Sequence, residues 1–425
     1  MIREKLLAIR TELKSFTLNE RLFVLCAMLC SFLISSDYSI IRPVSNAVFI
    51  TAYSSAMFPY AWLAVVPLNF LIVTLYNKYL PKLGCFKMFL SVAGIVSCIS
   101  LFSALFLKKI EWLPFFFYIW KEVYIMLMFQ LLWSVIHNET HLSRAKYLYG
   151  ILFGIGALGS MTGSLIPSFL AVRMGSENLL FANLPIYLLL GAAYFFLLKN
   201  TSGGLHLRVE KKQPSVNTLK HGIQLITQSK FLIFILSIVI FMQVSSSLVD
   251  FQFNHFLEKT IGDKDLRTQY TGRVMAIVHM ATLSLQFLGS FLLVHFLGIR
   301  RSHYLIPLLL CINSIGFLFF PAFAMISFSF ITIKCFDFSL FTVIKEMLYI
   351  PLGQDEKFRA KSLIDVFAHR TSKALASFLI LGLQLFAIAE IQPILSWIGI
   401  GIFGTWCAVA MRMLKDSQAV LTKQI

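Results

Sequence analysis

The sequence predicts an all-α polytopic membrane protein with about twelve transmembrane helices, and three observations carry that prediction. Hydrophobic residues fill 58% of 425 positions and the mean hydropathy is strongly positive, which is more apolar surface than a soluble domain hides in a core. The apolar runs are continuous rather than alternating, as helices crossing roughly 30 Å of hydrocarbon require, and this excludes a β-barrel. Lysine and arginine gather at every second connection, the pattern of short cytoplasmic loops.

Taken in order, the spans run over 22–47, 56–77, 86–107, 113–136, 147–172, 178–198, 231–254, 272–296, 303–324, 326–350, 361–390 and 393–411. The first follows a charged, amphipathic stretch with no small-residue cleavage site, so it is expected to stay in the mature protein. Basic clusters separate the spans at Lys78, Lys82 and Lys87, at Arg144 and Lys146, at Lys211 and Lys212, at Arg300 and Arg301, and at Lys357 and Arg359. The alternate connections are poor in charge, apart from Lys108, Lys109 and the stretch from Glu258 to Arg273. This arrangement places both termini in the cytoplasm and the chain in the inner membrane. It also accounts for the formal charge of +17 without a nucleic-acid partner.

Six spans precede the polar segment 199–230, which carries Gly203, Gly204 and Pro214, and six follow it. The expected organisation is an N-terminal six-helix bundle (1–198), a cytoplasmic linker (199–230) and a C-terminal six-helix bundle (231–425). Internal similarity supports a duplication. Lys121-Glu122 with Tyr124 in the fourth span matches Lys345-Glu346 with Tyr349 in the tenth, and Arg144-Ala145-Lys146 before the fifth span matches Arg359-Ala360-Lys361 before the eleventh. Two parallel repeats of six helices are the major facilitator architecture, with the binding site at their interface.

Charged side chains inside hydrocarbon cost about 2.5 to 3.5 kcal/mol each, so each one retained needs a partner, a wet cavity or a ligand. The spans hold Asp37, Arg42, Lys121, Glu122, Asp250, Lys334, Asp337, Lys345, Glu346, Lys361, Asp365, Arg370 and Lys373. In the eleventh span Lys361, Asp365, His369 and Lys373 fall four residues apart and share one helical face. That stripe lines either an aqueous path or an ion-pair ladder against a neighbouring helix. Arg370 and Lys373 have no acidic partner within a turn, and bases left uncompensated at that depth point to an anionic substrate. Glu122 and Glu346 either hold bases in place or form salt bridges that break and reform during transport. Tyr38, Tyr124 and Tyr349 stand near the charges and are candidates to stack on a base.

Gly150, Gly154, Gly156, Gly159 and Gly163 in the fifth span form a close-packing face. The seven cysteines, among them Cys26, Cys30, Cys98, Cys311 and Cys335, are small packing residues rather than disulfides or metal ligands. No nucleophile constellation, Walker loop or metal-ligand spacing is present, so no enzyme activity, metal or cofactor is expected, and transport is secondary.

The run Lys345-Glu346-Met347-Leu348-Tyr349-Ile350-Pro351-Leu352, continuing through Lys357, Ala360-Lys361 and Ile364-Asp365-Val366 to Lys373, resembles the nucleotide transporters, the ATP/ADP translocases of plastids and obligate intracellular bacteria. Trp133 to Gly154, with Asn138, Ala145-Lys146 and Tyr149, is similar to that family's fourth-to-fifth span connection. Tyr38-Ser39-Ile40-Ile41-Arg42 looks like its first-span motif. The resemblance implies a major facilitator fold that exchanges nucleotides, often external ATP for internal ADP and phosphate, with critical charges at Glu122, Asp250 and either Lys361 or Lys373. Asp250 stands where the family usually has glutamate. Ser45 and Asn46 replace a lysine and an aspartate, and Ala61 replaces a further lysine.

The expected function is a monomeric secondary transporter for a nucleotide-type organic anion, working by alternating access in the lipid bilayer. Arg42, Lys121, Lys345, Lys361, Arg370 and Lys373, with Tyr38 and Tyr349, are assigned to substrate, and Asp37, Glu122, Asp250, Glu346 and Asp365 to coupling or gating. The alternative is a proton-coupled carrier of a different metabolite, with Asp37, Asp250 or Asp365 taking the proton.

Overall fold

Thr17 starts the first helix through a reciprocal cap: the Glu20 N–H donates to its hydroxyl at 3.3 Å, and the Glu20 carboxylate accepts from its N–H at 2.8 Å. Helix α1 then runs Leu18–Tyr53, about 54 Å at 1.5 Å per residue, so it extends the predicted 22–47 beyond the hydrocarbon at both ends. The structure is a computed structural model that describes residues 17–139, 142–201, 203–207, 223–286, 290–349, 352, 361–386 and 391–416. For 142–150, 206, 290–302, 362–363, 365–367, 369–370 and 413–416 it describes the backbone alone.

A short 3-10 turn, Ser55–Met57, leads into α2, Phe58–Phe106. It is two helices, the second and third predicted spans, meeting end to end without a loop between them. The only break is Gly84, whose φ of 75° and ψ of 169° suit glycine alone. Next come α3 (Leu113–Glu139), α4 (Leu142–Met174), a 3-10 segment (Glu177–Ala182) and α5 (Asn183–Lys199). The C-terminal part holds α6 (Lys230–Thr260), α7 (Lys264–Ser284), α8 (Ser290–Phe319), α9 (Phe323–Phe336), α10 (Thr342–Leu348), α11 (Lys361–Leu385) and α12 (Ile391–Asp416). A π-helical turn, Asp337–Phe341, joins α9 to α10, and the three pieces together form the predicted tenth span. Most of the basic linker, 208–222, lies outside the described residues.

Among the described residues eight helices are long and apolar enough to cross a membrane, and Ser55–Phe106, with 52 residues, has length for two crossings. His303–Phe319 and Thr371–Leu385 are shorter apolar helices. The protein is a multi-pass, all-helical membrane protein. The eighth span departs most from expectation, because α7 begins at Lys264 rather than 272. Its polar first turns are set by Asp263, whose carboxylate accepts from Leu266 N–H at 2.8 Å, and hydropathy does not register such a start.

Close packing of α4 on α1 uses the expected glycines. A Cβ at Gly159 or Gly163 would run into the backbone of Phe32 or Ser36. The contact is tied by Ser36 Oγ donating to Gly159 O at 2.8 Å and Ser31 Oγ donating to Leu152 O at 3.2 Å. Gly272 of α7 meets α4 in the same way, where a Cβ would come within 2.9 Å of Ser168 N.

Three apolar clusters result. One is built between Phe23 and Leu207, and another between Ile226 and Ala410. The third mixes the two parts of the chain, joining Phe49, Phe58, Trp62 and Tyr118 to Leu248, Phe253 and Ile380. It lies at the Tyr53 end of α1 and holds the N- and C-terminal helices together there.

Candidate functional site

Two adjoining cavities lie between the N- and C-terminal helices. The inner chamber, about 270 Å³, is lined by Arg42 and Asn46 of α1, Trp62 and Asn69 of α2, Tyr118, Lys121 and Glu122 of α3, Gln243, Ser246 and Asp250 of α6, Lys334 of α9 and Lys373 of α11. The second cavity, about 370 Å³, extends from it toward the N-terminal end of α1. Its wall includes Ser31 and Ser35 of α1, Phe129 and Trp133 of α3, Phe153 of α4, and His279 and Gln286 of α7. Tyr38 and Arg42 line both and form the threshold between them.

The inner chamber is a network of opposite charges. Lys373 Nζ lies 3.5 Å from Glu122 Oε2, and Lys334 Nζ lies 3.5 Å from Asp250 Oδ2 while donating to Ser246 Oγ at 2.9 Å. Lys121 is almost wholly buried, donates to Asn46 Oδ1, and sits 3.8 Å from Glu122. Three ammonium groups also rest on aromatic faces: Lys121 at 4.0 Å from the Tyr118 ring centre, Lys373 at 5.4 Å from Trp62, and Lys334 at 5.5 Å from Phe330. Such contacts hold a base in place without cancelling its charge. Among the described residues no carboxylate lies within ion-pair distance of Arg42. The charges are therefore part-compensated and mounted on rigid helices, the condition for recognising an anion without a large rearrangement of the wall.

The sequence-predicted residues fall into three groups. Tyr38, Arg42, Lys121, Glu122, Asp250 and Lys373 come together around the chamber. Lys345, Glu346, Lys361 and Tyr349 form a separate cluster. Lys361 Nζ is 2.5 Å from Glu346 Oε2, Lys345 Nζ is 3.9 Å from Glu346 Oε1, and Lys361 lies 5.5 Å from the Tyr349 ring centre. This separation follows from the helix itself: Lys361 and Lys373 share a face of α11, but twelve residues set them about 18 Å apart along it. Tyr349 is 1% exposed inside an apolar cluster, so it supports Lys361 and is not available to stack on a substrate. The side chains of Asp365 and Arg370 lie outside the described residues.

Asp37 stands apart from both cavities. It is 1% exposed and accepts from Tyr124 Oη and Asn183 Nδ2, each at 2.9 Å, tying α1 to α3 and α5. Tyr124 is fully buried in making that bond, which removes it as a stacking residue too.

The two Lys-Glu pairs do not occupy equivalent places, contrary to the expected repeat. Lys121 lies eight residues after the start of α3 at Leu113, whereas Lys345 lies near the far end of the tenth span, beyond α9 and the π turn. The spacing from each pair to its Arg-Ala-Lys differs accordingly, 23 residues in one half and 14 in the other. Lys334, eleven residues after the start of α9 at Phe323, is the base of the tenth span that lines the chamber with Lys121. Sequence reasoning noted Lys334 among the intramembrane charges and gave it no substrate role. It missed Trp62, Tyr118, Asn69 and Gln243, since uncharged residues in apolar spans carry no signal of their own.

Polar contacts between the halves collect at the Tyr53 end, on the far side of the chamber from the second cavity. The Glu258 carboxylate accepts from Ser55 N–H at 2.7 Å, from Ser54 Oγ at 3.3 Å and from Ser55 Oγ. Asp265 accepts from Ser176 N–H at 2.8 Å, and Lys264 pairs with Glu177. Arg267 donates to Thr51 Oγ1 at 3.3 Å, and Gln384 Nε2 donates to Ala56 O at 3.2 Å. The chamber is thus closed on this side by hydrogen bonds and ion pairs over the mixed apolar cluster.

Comparison with known proteins gives a consistent setting. The family described as TLC ATP/ADP transporter matches residues 105–417. ADP,ATP carrier protein 2, chloroplastic, of Arabidopsis thaliana is 23% identical over 343 residues, 72% of this chain and 54% of the relative. The chain therefore spans about half the length of that curated relative. Among solved structures, the nucleoside transporter NupG superposes with a TM-score of 0.62 at 14% identity, covering 92% of this chain and 99% of NupG. The POT family transporter PepTSo gives 0.64 at 9% identity, covering 95% and 99%. At such identities these likenesses establish the fold, which is that of the major facilitator transporters.

Proposed function

The chain belongs to the TLC ATP/ADP transporter family, and on that premise we propose that it carries a nucleotide-type organic anion across the membrane by alternating access. The observation that supports this reading most is the inner chamber, where Arg42, Lys121, Lys334 and Lys373 face a space shared by the N- and C-terminal helices. Arg42, Lys334 and Lys373 take the anion. Glu122 and Asp250 hold Lys373 and Lys334 when the site is empty and give them up to the substrate. Tyr38 at the threshold is the tyrosine left accessible to a base.

The structure on this reading is the state open toward the N-terminal end of α1 and closed at the Tyr53 end. Transport needs the Glu258, Asp265 and Lys264 contacts to break while equivalent ones form on the other side. The moving bodies are residues 1–198 and 231–425, with 199–230 connecting them. Charge placement along the chain supports a cytoplasmic N-terminal end of α1 in an inner-membrane protein, and on that reading the open cavity faces inward. Proton coupling through Glu122 or Asp250 is the second reading, favoured by the presence of both carboxylates in the chamber wall.

Uptake of labelled adenine nucleotides into cells expressing the protein, beside cells expressing Lys373→Met, tests the proposal. Uptake from a trace of label reduced about tenfold or more in the variant, with equal amounts of protein in the membrane, supports it. Equal uptake by both, or none by either, removes it. Uptake into proteoliposomes driven by an imposed pH gradient, with the membrane potential clamped, is expected only if protons are coupled to it.

A further inference from the structure

The wall of the inner chamber carries four bases, Arg42, Lys121, Lys334 and Lys373, against two carboxylates, Glu122 and Asp250. Among the described residues this leaves a formal excess of two positive charges. Asp337 lies behind the wall, where it accepts from Gln243 Nε2 at 2.9 Å. A buried excess charge is costly, and a bound counter-charge that matches it removes the cost, whereas one that overshoots recreates it with the opposite sign. The chamber is therefore matched to a ligand bearing about two negative charges.

A second feature narrows the chemistry. Asn69 lines the chamber at 6% exposure, and its side-chain oxygen has no donor among the described residues. An acceptor buried in this way calls for a hydroxyl or amine from the ligand. A third is the division of the space: a charged chamber of about 270 Å³ opens at Tyr38 into a cavity of about 370 Å³ walled by Phe129, Trp133 and Phe153. One ligand occupying both would fill a site within the range of about 300 to 1,000 Å³ usual for small molecules.

We infer that the preferred substrate is a nucleoside monophosphate: the phosphomonoester sits among Arg42, Lys334 and Lys373, a sugar hydroxyl donates to Asn69, and the base lies in the aromatic cavity beyond Tyr38. A phosphomonoester carries about −1.5 to −2 at pH 7, which meets the excess. A triphosphate exceeds it. This inference rests on the carrier reading above and adds the charge and shape of the cargo.

The test is competition on the purified full-length protein, read as thermal stabilisation by AMP, ADP, ATP, adenosine, ribose 5-phosphate and succinate. AMP is expected to act at a concentration about tenfold or more below that of ATP, with adenosine, ribose 5-phosphate and succinate all weaker than AMP. ATP or ADP matching or surpassing AMP overturns the inference and leaves the nucleotide carrier standing. Ribose 5-phosphate or succinate matching AMP overturns the placement of the base. Failure of all six to bind, together with no uptake of any nucleotide, is the separate failure of the carrier reading. Glu122→Gln raises the excess by one charge, so the preference for ADP relative to AMP is expected to rise about tenfold. Because this is a ratio, it does not depend on how much of the variant folds, and an unchanged ratio counts against charge matching.

Discussion

Glu258→Ala removes the acceptor at the centre of the closed end. The carboxylate receives Ser55 N–H at 2.7 Å, Ser54 Oγ at 3.3 Å and Ser55 Oγ, and Ser54 beside it has a φ of +70°, an uncommon value for a residue other than glycine. A hydrogen bond to a charged group contributes about 1.5–3 kcal/mol net. In the opened state the serines bond to water instead, so one such bond is a fair measure of the bias lost. At 1.4 kcal/mol per factor of ten, the closed-to-open ratio at this end should fall about 10- to 150-fold. A protein resting near 99:1 would move to between about 10:1 and about 1:1.5, which makes the open state visible. Spin labels at Glu111→Cys and Lys259→Cys, both exposed and on opposite sides of the closure, report the change by pulsed distance measurement in a background lacking the exposed Cys98. A new, longer distance peak is expected in Glu258→Ala and a smaller one in Ser55→Ala. An unchanged distribution in Glu258→Ala would refute the assignment of this network as the closing contact.

Three further outcomes follow from the packing and the site. Lys373→Met should raise the half-saturating concentration for anion uptake about tenfold or more, the equivalent of losing one charge-assisted contact, and a wild-type value would remove Lys373 from the site. Gly163→Leu should prevent stable folding, because its Cβ would meet the Ser36 backbone, while Gly191→Ala should be tolerated, since nothing lies within 4 Å of a Cβ there; detergent-solubilised yield and melting temperature tell the two apart. Asp37→Asn should lower the melting temperature yet leave the pH dependence of uptake unchanged, because Asp37 ties helices together away from the chamber; a shifted pH profile would return it to a coupling role.

Much of the fold was legible because hydrophobicity has a single dominant cause in a membrane. Apolar runs marked where helices lie, and a close-packing face on α4 could be read from glycines at intervals of four and five, though not that α1 is its partner. What the runs hid was how helices join and where they start. The second and third spans are two helices, as read, but they meet at Gly84 without a loop, and α7 began in polar residues that only its Asp263 cap explains. The site was legible in part, since a charge in hydrocarbon draws attention by its cost, and so Arg42, Lys121, Glu122, Asp250 and Lys373 could be found. Depth could not be judged from adjacency alone. Lys345-Glu346 repeats Lys121-Glu122 as a pair of letters but lies at the other end of its span, and Lys334 lines the chamber beside Lys121 without a matching motif. Asn69 and Tyr118 owe their importance to where helices cross, and a single sequence does not encode that locally.

Counterflow in proteoliposomes tests the account most directly. Vesicles loaded with unlabelled nucleotide and diluted into a trace of labelled nucleotide should accumulate label to a transient peak above equilibrium, then lose it, because one chamber alternates between the two faces. Slow uptake with no overshoot, indifferent to what the vesicles contain, would contradict it.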